Sequence, residues 1–311
     1  VSGSSAPKHS VALGAFLIVL AFACVAVMSA FGKAAKGVST GVIVFFQNFI
    51  SLILFSPWVL RKGFSDLRTA RIWLHILRAA GGLLSQALMF AAVRKMPLVD
   101  AVLLSNSAPL FIPLVAWIWL KEKIGGIVWV SLAVGFAGVI LILRPSLALL
   151  SNPAALLALS AALFSAFALV SVNQLSNTEP AKRILFYYFL FSSVAAAPFT
   201  VLNWKTPTSQ EWLLLSGIGV TMALSQWLII FAYKQASAER IAPFNYTVVI
   251  FSGLIGWVVW NNRPGLLALA GVLLVTAGGV LSTMFGGRSS HGGHTGWLGD
   301  RSHLLAGKEA A

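Results

Sequence analysis

The sequence predicts an all-α membrane protein of ten transmembrane helices, built as two inverted-topology repeats of five helices each. Composition is the first observation. Of 311 residues, 58% are hydrophobic and 10% charged, and the mean hydropathy is +0.88. Soluble domains carry roughly 25% charged residues, and no soluble core of this size hides so much apolar surface. The second observation is a series of apolar runs, each near the roughly 20 residues that cross a hydrocarbon core. The third is a gapless internal repeat at an offset of 140: Leu84-Ser85-Gln86 returns as Leu224-Ser225-Gln226, Ala92 as Ala232, Trp117 as Trp257, Gly138 as Gly278 and Leu141 as Leu281. A period this long marks duplication of a whole unit.

Taken in order, the first five runs are Ser10–Phe31, Thr40–Leu60, Ile72–Val93, Leu98–Leu120 and Ile124–Leu143. The second five are Pro153–Gln174, Ile184–Leu202, Trp212–Tyr233, Ala238–Trp260 and Gly265–Phe285. The chain thus divides into a short N-terminal segment (1–9), a first repeat (10–145), a second repeat (146–285) and a Gly/Ser/His-rich tail (286–311) read as disordered. Pro109, Pro113, Pro198 and Pro243 fall inside runs, which membrane helices tolerate because neighbours re-satisfy the freed carbonyls. Small residues four apart, such as Gly81 with Ser85 and Gly217 with Thr221, let helices approach closely.

Lys and Arg set the orientation. With the N-terminus in the cytoplasm, the inner segments hold twelve cations and the outer loops seven. The bias places both termini inside. Five spans per half is an odd number, so the second half enters the membrane opposite to the first, an arrangement typical of secondary transporters. The net charge of +14 therefore belongs to headgroups and topology, not to nucleic acid. The single cysteine, Cys24, allows no internal disulfide and reads as a packing residue.

All eight Asp and Glu fall at run ends, in loops or in the tail. No metal cluster, phosphate-cradling loop or catalytic dyad accompanies them, so neither cofactor, metal nor enzyme activity is expected. His75, near the start of the third run, is the one candidate for proton coupling. It weighs more heavily as a satisfied interfacial residue. Arg78, a turn later, is the only cation placed inside a run. It is read as structural, snorkelling or binding carbonyls. The uncharged polar residues carry more information. Gln86, Asn106, Gln226, Trp227 and Tyr246, with Ser85 and Asn245, are the candidate substrate-binding set. The pairs Gln86/Gln226 and Asn106/Tyr246 fall at matching repeat positions, and inverted repeats build their sites at the interface of the halves. Interhelical hydrogen bonds are the plain alternative for each.

Ten runs as two five-run units resemble the drug/metabolite transporter superfamily, in its EamA-like branch. The run from Ala101 to Glu122 carries the resemblance, with Pro109 in span four, Glu122 before span five, and Ser131 with Gly138 matched by Gly271 and Gly278. The second half departs from it at Val249 and Asn262. Within that branch the span pattern and aromatic-rich interior are similar to the YddG-type aromatic amino-acid exporters. The resemblance implies a central cavity lined by spans one, three, four, six, eight and nine, with spans five and ten peripheral. The expected function is alternating-access export of neutral or aromatic amino acids across a bacterial inner membrane, by a monomer whose partners are substrate and lipid. Export of another metabolite or drug is the alternative. An intramembrane enzyme or lipid-binding subunit is the rival of another class.

Overall fold

The computed structural model describes residues 11–61, 67–121, 126–143, 153–176, 178–235, 244–245, 247–262 and 265–286. Every regular element among them is helical. These are α1 (Val11–Ala34), α2 (Thr40–Leu60), α3 (Ile72–Val93), α4 (Leu98–Ser105), α5 (Ala108–Leu120), α6 (Gly126–Leu143), α7 (Pro153–Ser176), α8 (Ala181–Leu202), α9 (Ser209–Gln235), α10 (Thr247–Trp260) and α11 (Leu266–Gly286). Seven stretches are long and apolar enough to cross a membrane: α1, α2, α3, α4 with α5, α7, α8 and α9. Thr247–Trp260 and Leu269–Gly278 are shorter apolar helices. The protein is a multi-pass membrane protein, all-helical among the described residues. The N-terminal segment, the tail expected to be disordered and Tyr246 lie outside the described residues.

The internal repeat is visible in the helix boundaries. Shifted by 140, α1, α2, α3 and α6 fall on α7, α8, α9 and α11 to within three residues at either end. The stops agree as well. Lys121 after α5 and Asn261 after α10 stand 140 apart, and both adopt positive φ, 56° and 54°. That left-handed conformation closes a helix end and is easier for Asn than for Lys.

Three sequence expectations are corrected here. The run Leu98–Leu120 is not one helix. It breaks at Asn106 and Ser107, whose side chains turn back onto Val102 O (2.7 Å) and Leu104 O (2.6 Å). Pro109, expected in a helix interior, instead sits in the first turn of α5, where a missing N–H costs nothing. Lys33, expected in a loop, lies in the last turn of α1.

Helix contacts close a ring. Its order is α1, α9, α2, α8, α3, α7, α4, α10 and back to α1. Exchanging the two halves maps this ring onto itself. Helices α6 and α11 pack chiefly on each other and reach the ring through α5. Polar contacts gather at the two ends. At one end, Lys33 Nζ donates to Val93 O (2.8 Å) and Met96 O (2.5 Å) and lies 5.6 Å from the Trp260 ring centroid. Arg94 donates to Ala35 O, Val38 O and Thr40 Oγ1. Each cation thus caps the C-terminus of the other's helix, where the backbone dipole is negative. At the opposite end, Thr69 Oγ1 donates to Glu179 Oε1 (2.6 Å), Arg183 pairs with Glu179 Oε2 (2.5 Å), and Tyr187 OH donates to Leu67 O (2.7 Å).

Candidate functional site

The interior of the ring is where polar side chains must go, since lipid-facing polar groups are costly. Helix α3 shows the sorting. Trp73, Ile76 and Leu84 are exposed and share one face. His75, Arg78, Gly82, Ser85, Gln86 and Met89 follow the three-and-four spacing of the opposite face. The inward face meets α8 and α2. His75 is fully buried with its ring 4.7 Å from that of Tyr187. Neither His75 nitrogen has a hydrogen-bond partner, so the satisfied interfacial histidine expected from the sequence is not what the structure holds.

Arg78 neither snorkels nor binds a carbonyl cluster. Its guanidinium carbon stands 4.1 Å over the ring of Tyr188, a cation–π contact worth about 0.5–2 kcal/mol. Gly82 makes the room. A Cβ there would come within 2.5 Å of Arg78 Nη1 and 2.6 Å of Tyr188 Cε2. One further turn along, Gln86 Oε1 accepts from Asn48 Nδ2 at 3.2 Å. Helices α2 and α3 both pack on α8 and also touch each other directly, and the Asn48–Gln86 bond joins them on the polar face of α3.

The other expected residues divide. Asn106 caps α4 and keeps its amide on its own helix. Asn245 lies in a short turn before α10, its Oδ1 buried and unpartnered. Ser105 and Asn245 are 140 apart, so repeat-related polar residues stand at the end of α4 and in the turn before α10, two helices that pack on each other. Ser85 and Gln226 are half-buried. Gln226 lies on the side of α9 where Gly219 meets Ile50 and where Ser51 donates to Gly219 O (3.1 Å). Trp227 is a correction. It is 45% exposed and shares the outward stripe of α9 with Leu213, Val220 and Leu224, so its ring points away from the interior. No hydrogen bond or ring contact joins Gln86 to Asn106, Gln226 or Asn245 among the described residues.

Sequence reasoning passed over Arg78, Asn48 and Tyr188 as site residues. Asn48 and Tyr188 are 140 apart in the sequence, but it is the structure that sets both against the polar face of α3, Asn48 on Gln86 and Tyr188 on Arg78. Among the described residues, no group of three His, Cys, Asp or Glu could hold a metal ion.

Comparison with known proteins places these features. Residues 12–144 and 152–284 each match the EamA-like transporter family. A riboflavin transporter of Vibrio cholerae is 31% identical over 86% of this chain and 92% of its own length. A pseudopaline exporter of Pseudomonas aeruginosa is 31% identical over 85% of this chain and 94% of its own. An S-adenosylmethionine uptake transporter of Rickettsia bellii is 29% identical over 75% of this chain and 80% of its own. A solved structure, described only as the crystal structure of a protein, shares the fold at TM-score 0.60 with 19% identity, covering 91% of this chain and 99% of that one.

Proposed function

The chain belongs to the EamA-like transporter family, and we propose that it carries a small organic metabolite across a bacterial inner membrane through the interior of the eight-helix ring. The observation that carries this reading is the double family match, one per repeat, laid over a ring whose helix pairings survive exchange of the halves. Equivalent positions support an inverted arrangement of ten spans. Arg71 and Glu211 are 140 apart. Arg71 begins α3 at the Glu179 end, while Gly37, next to Glu211, belongs to the Lys33 end. Two such units around a common interior are suited to alternating access.

The narrower expectation of neutral or aromatic amino-acid export is widened. The named relatives handle riboflavin, pseudopaline and S-adenosylmethionine, and they include both an exporter and an uptake transporter. A ring interior offering amides, hydroxyls and aromatic faces suits a metabolite with polar groups on a partly apolar frame. Placement in the inner membrane with both termini in the cytoplasm follows from the Lys and Arg bias. The substrate is the partner, within a lipid-embedded monomer.

Solute counterflow in proteoliposomes tests the reading. Purified protein preloaded with unlabelled riboflavin, S-adenosylmethionine or tryptophan should transiently accumulate the matching labelled compound for at least one of them. Protein that is monodisperse and folded yet exchanges none of a broad metabolite panel would contradict it.

A further inference from the structure

We infer that Arg78, seated on Tyr188, is the carboxylate-binding subsite of the transported substrate; this rests on the transport reading and narrows it to carboxylate-bearing metabolites. Several independent observations converge. Arg78 is the seventh residue of the 22-residue α3, about 9 Å from its start at ~1.5 Å per residue. That depth puts a permanent cation within the membrane-spanning part of the bundle. Its Nε is buried and has no hydrogen-bond partner. Among the described residues no carboxylate pairs with it: Glu179 is held by Thr69 and Arg183, Glu211 by Thr208, and Asp100 lies in the first turn of α4. A cation with no paired carboxylate inside a membrane bundle is expensive and is rarely kept without a use.

The surroundings are built for a planar anion. The Tyr188 ring lies against the guanidinium on one side, 4.1 Å from its central carbon, and Gly82 removes the side chain that would push it off. Ser192, one helical turn beyond Tyr188 on α8, is fully buried with its hydroxyl unpartnered. It is a second group able to donate to a carboxylate oxygen. Guanidinium and carboxylate match as a two-pronged pair, which an ammonium does not reproduce. Toward the middle of the bundle, the Asn48–Gln86 pair lies eight residues along α3 from Arg78, about 12 Å. A substrate anchored by its carboxylate at Arg78 would direct its remaining polar groups toward those amides.

The test is transport by the full chain in proteoliposomes with probes that share one aromatic ring: phenylacetate and phenylalanine, which carry a carboxylate, and phenylalaninamide, which lacks it. Riboflavin and S-adenosylmethionine are measured alongside. Wild-type protein should move the carboxylate probes at least about tenfold faster than the amide. Arg78→Gln should abolish that preference by slowing only the carboxylate probes. Arg78→Lys should restore part of it, and Gly82→Ala, which retains the charge but crowds it, should weaken it. Should Arg78→Gln fail to fold, the Lys and Gly82→Ala variants carry the same comparison. Unchanged carboxylate preference in folded Arg78→Gln, or in both of the other variants, overturns the subsite. So does wild-type protein that ignores the carboxylate while transporting riboflavin or S-adenosylmethionine, and in that case the transport reading stands. Protein that moves no probe at all overturns both.

Discussion

Single residues decide what the ring interior can recognise. The Asn48–Gln86 bond joins two candidate interior side chains, one on α2 and one on α3. Asn48→Ala would leave Gln86 Oε1 without its donor. Hydrogen bonds between membrane helices average roughly 0.6 kcal/mol, so thermal unfolding in detergent should shift by only a degree or two while transport kinetics change several-fold. A large stability loss with normal transport would make the pair structural. Gln86 was legible in the sequence because the repeat displays it twice. Arg78 was discounted there because a lone cation early in a span so often snorkels. Only the placement of Tyr188 and Gly82 beside it shows that it turns inward. Trp227 failed as a sequence inference for the opposite reason. It adjoins Gln226 in the chain, but a 100° step turns it to the lipid face.

Elements joined at their ends set how the bundle closes. Glu179, between α7 and α8, is bound by Thr69 from the segment before α3 and by Arg183. Burial alone would push its carboxyl up, yet the Thr69 hydroxyl and the Arg183 guanidinium outweigh it and hold the carboxyl below its usual range. The latch is therefore fully present above the ordinary carboxylate value of about 4.3 and is lost as pH falls through the lower folded value. Wild-type protein should show a stability loss in that acid window that Glu179→Gln lacks, with the variant weaker by about 1–2 kcal/mol at pH 7. Parallel pH curves for the two proteins would contradict the assignment. The helices themselves were largely legible, since apolar length and the 140-residue offset locate most of their ends. The break at Asn106 was not, because past Asp100 near its start the run Leu98–Leu120 is apolar except at Ser105, Asn106 and Ser107. Asn106 was read as polar lining, when it and Ser107 bond back to the preceding turn and end the helix.

At the scale of the molecule, the two ends of the ring differ in chemistry. Lys33 and Arg94 close one end onto backbone carbonyls, while Glu179 and Arg183 form an ion pair at the other. Carbonyl–cation contacts between helix ends can part without stranding a buried carboxylate, as an alternating gate requires. Lys33→Ala with Arg94→Ala should raise accessibility from the Lys33 side, read as faster labelling of a cysteine introduced in the interior of a Cys24→Ser background. Unchanged labelling would remove the gating role. Topology is checked with impermeant thiol reagents. A cysteine at Lys205 should react from outside and one at position 65, which lies beyond the described residues, should not; the reverse pattern would overturn the inside placement of the termini. Centrally, we propose that a ring with no embedded carboxylate among its described residues moves its substrate down the substrate's own gradient. Aspartate and glutamate among the described residues lie at helix starts or between helices, so none of these described carboxylates sits mid-helix to cycle a proton. The most direct measurement is substrate flux into proteoliposomes with and without an imposed pH gradient of either sign. The expected result is equilibration at nearly the same initial rate in every case, with no accumulation beyond equilibrium. Uphill accumulation driven by the pH gradient alone, and abolished by His75→Ala, would contradict the account and make the unpartnered imidazole against Tyr187 the coupling group.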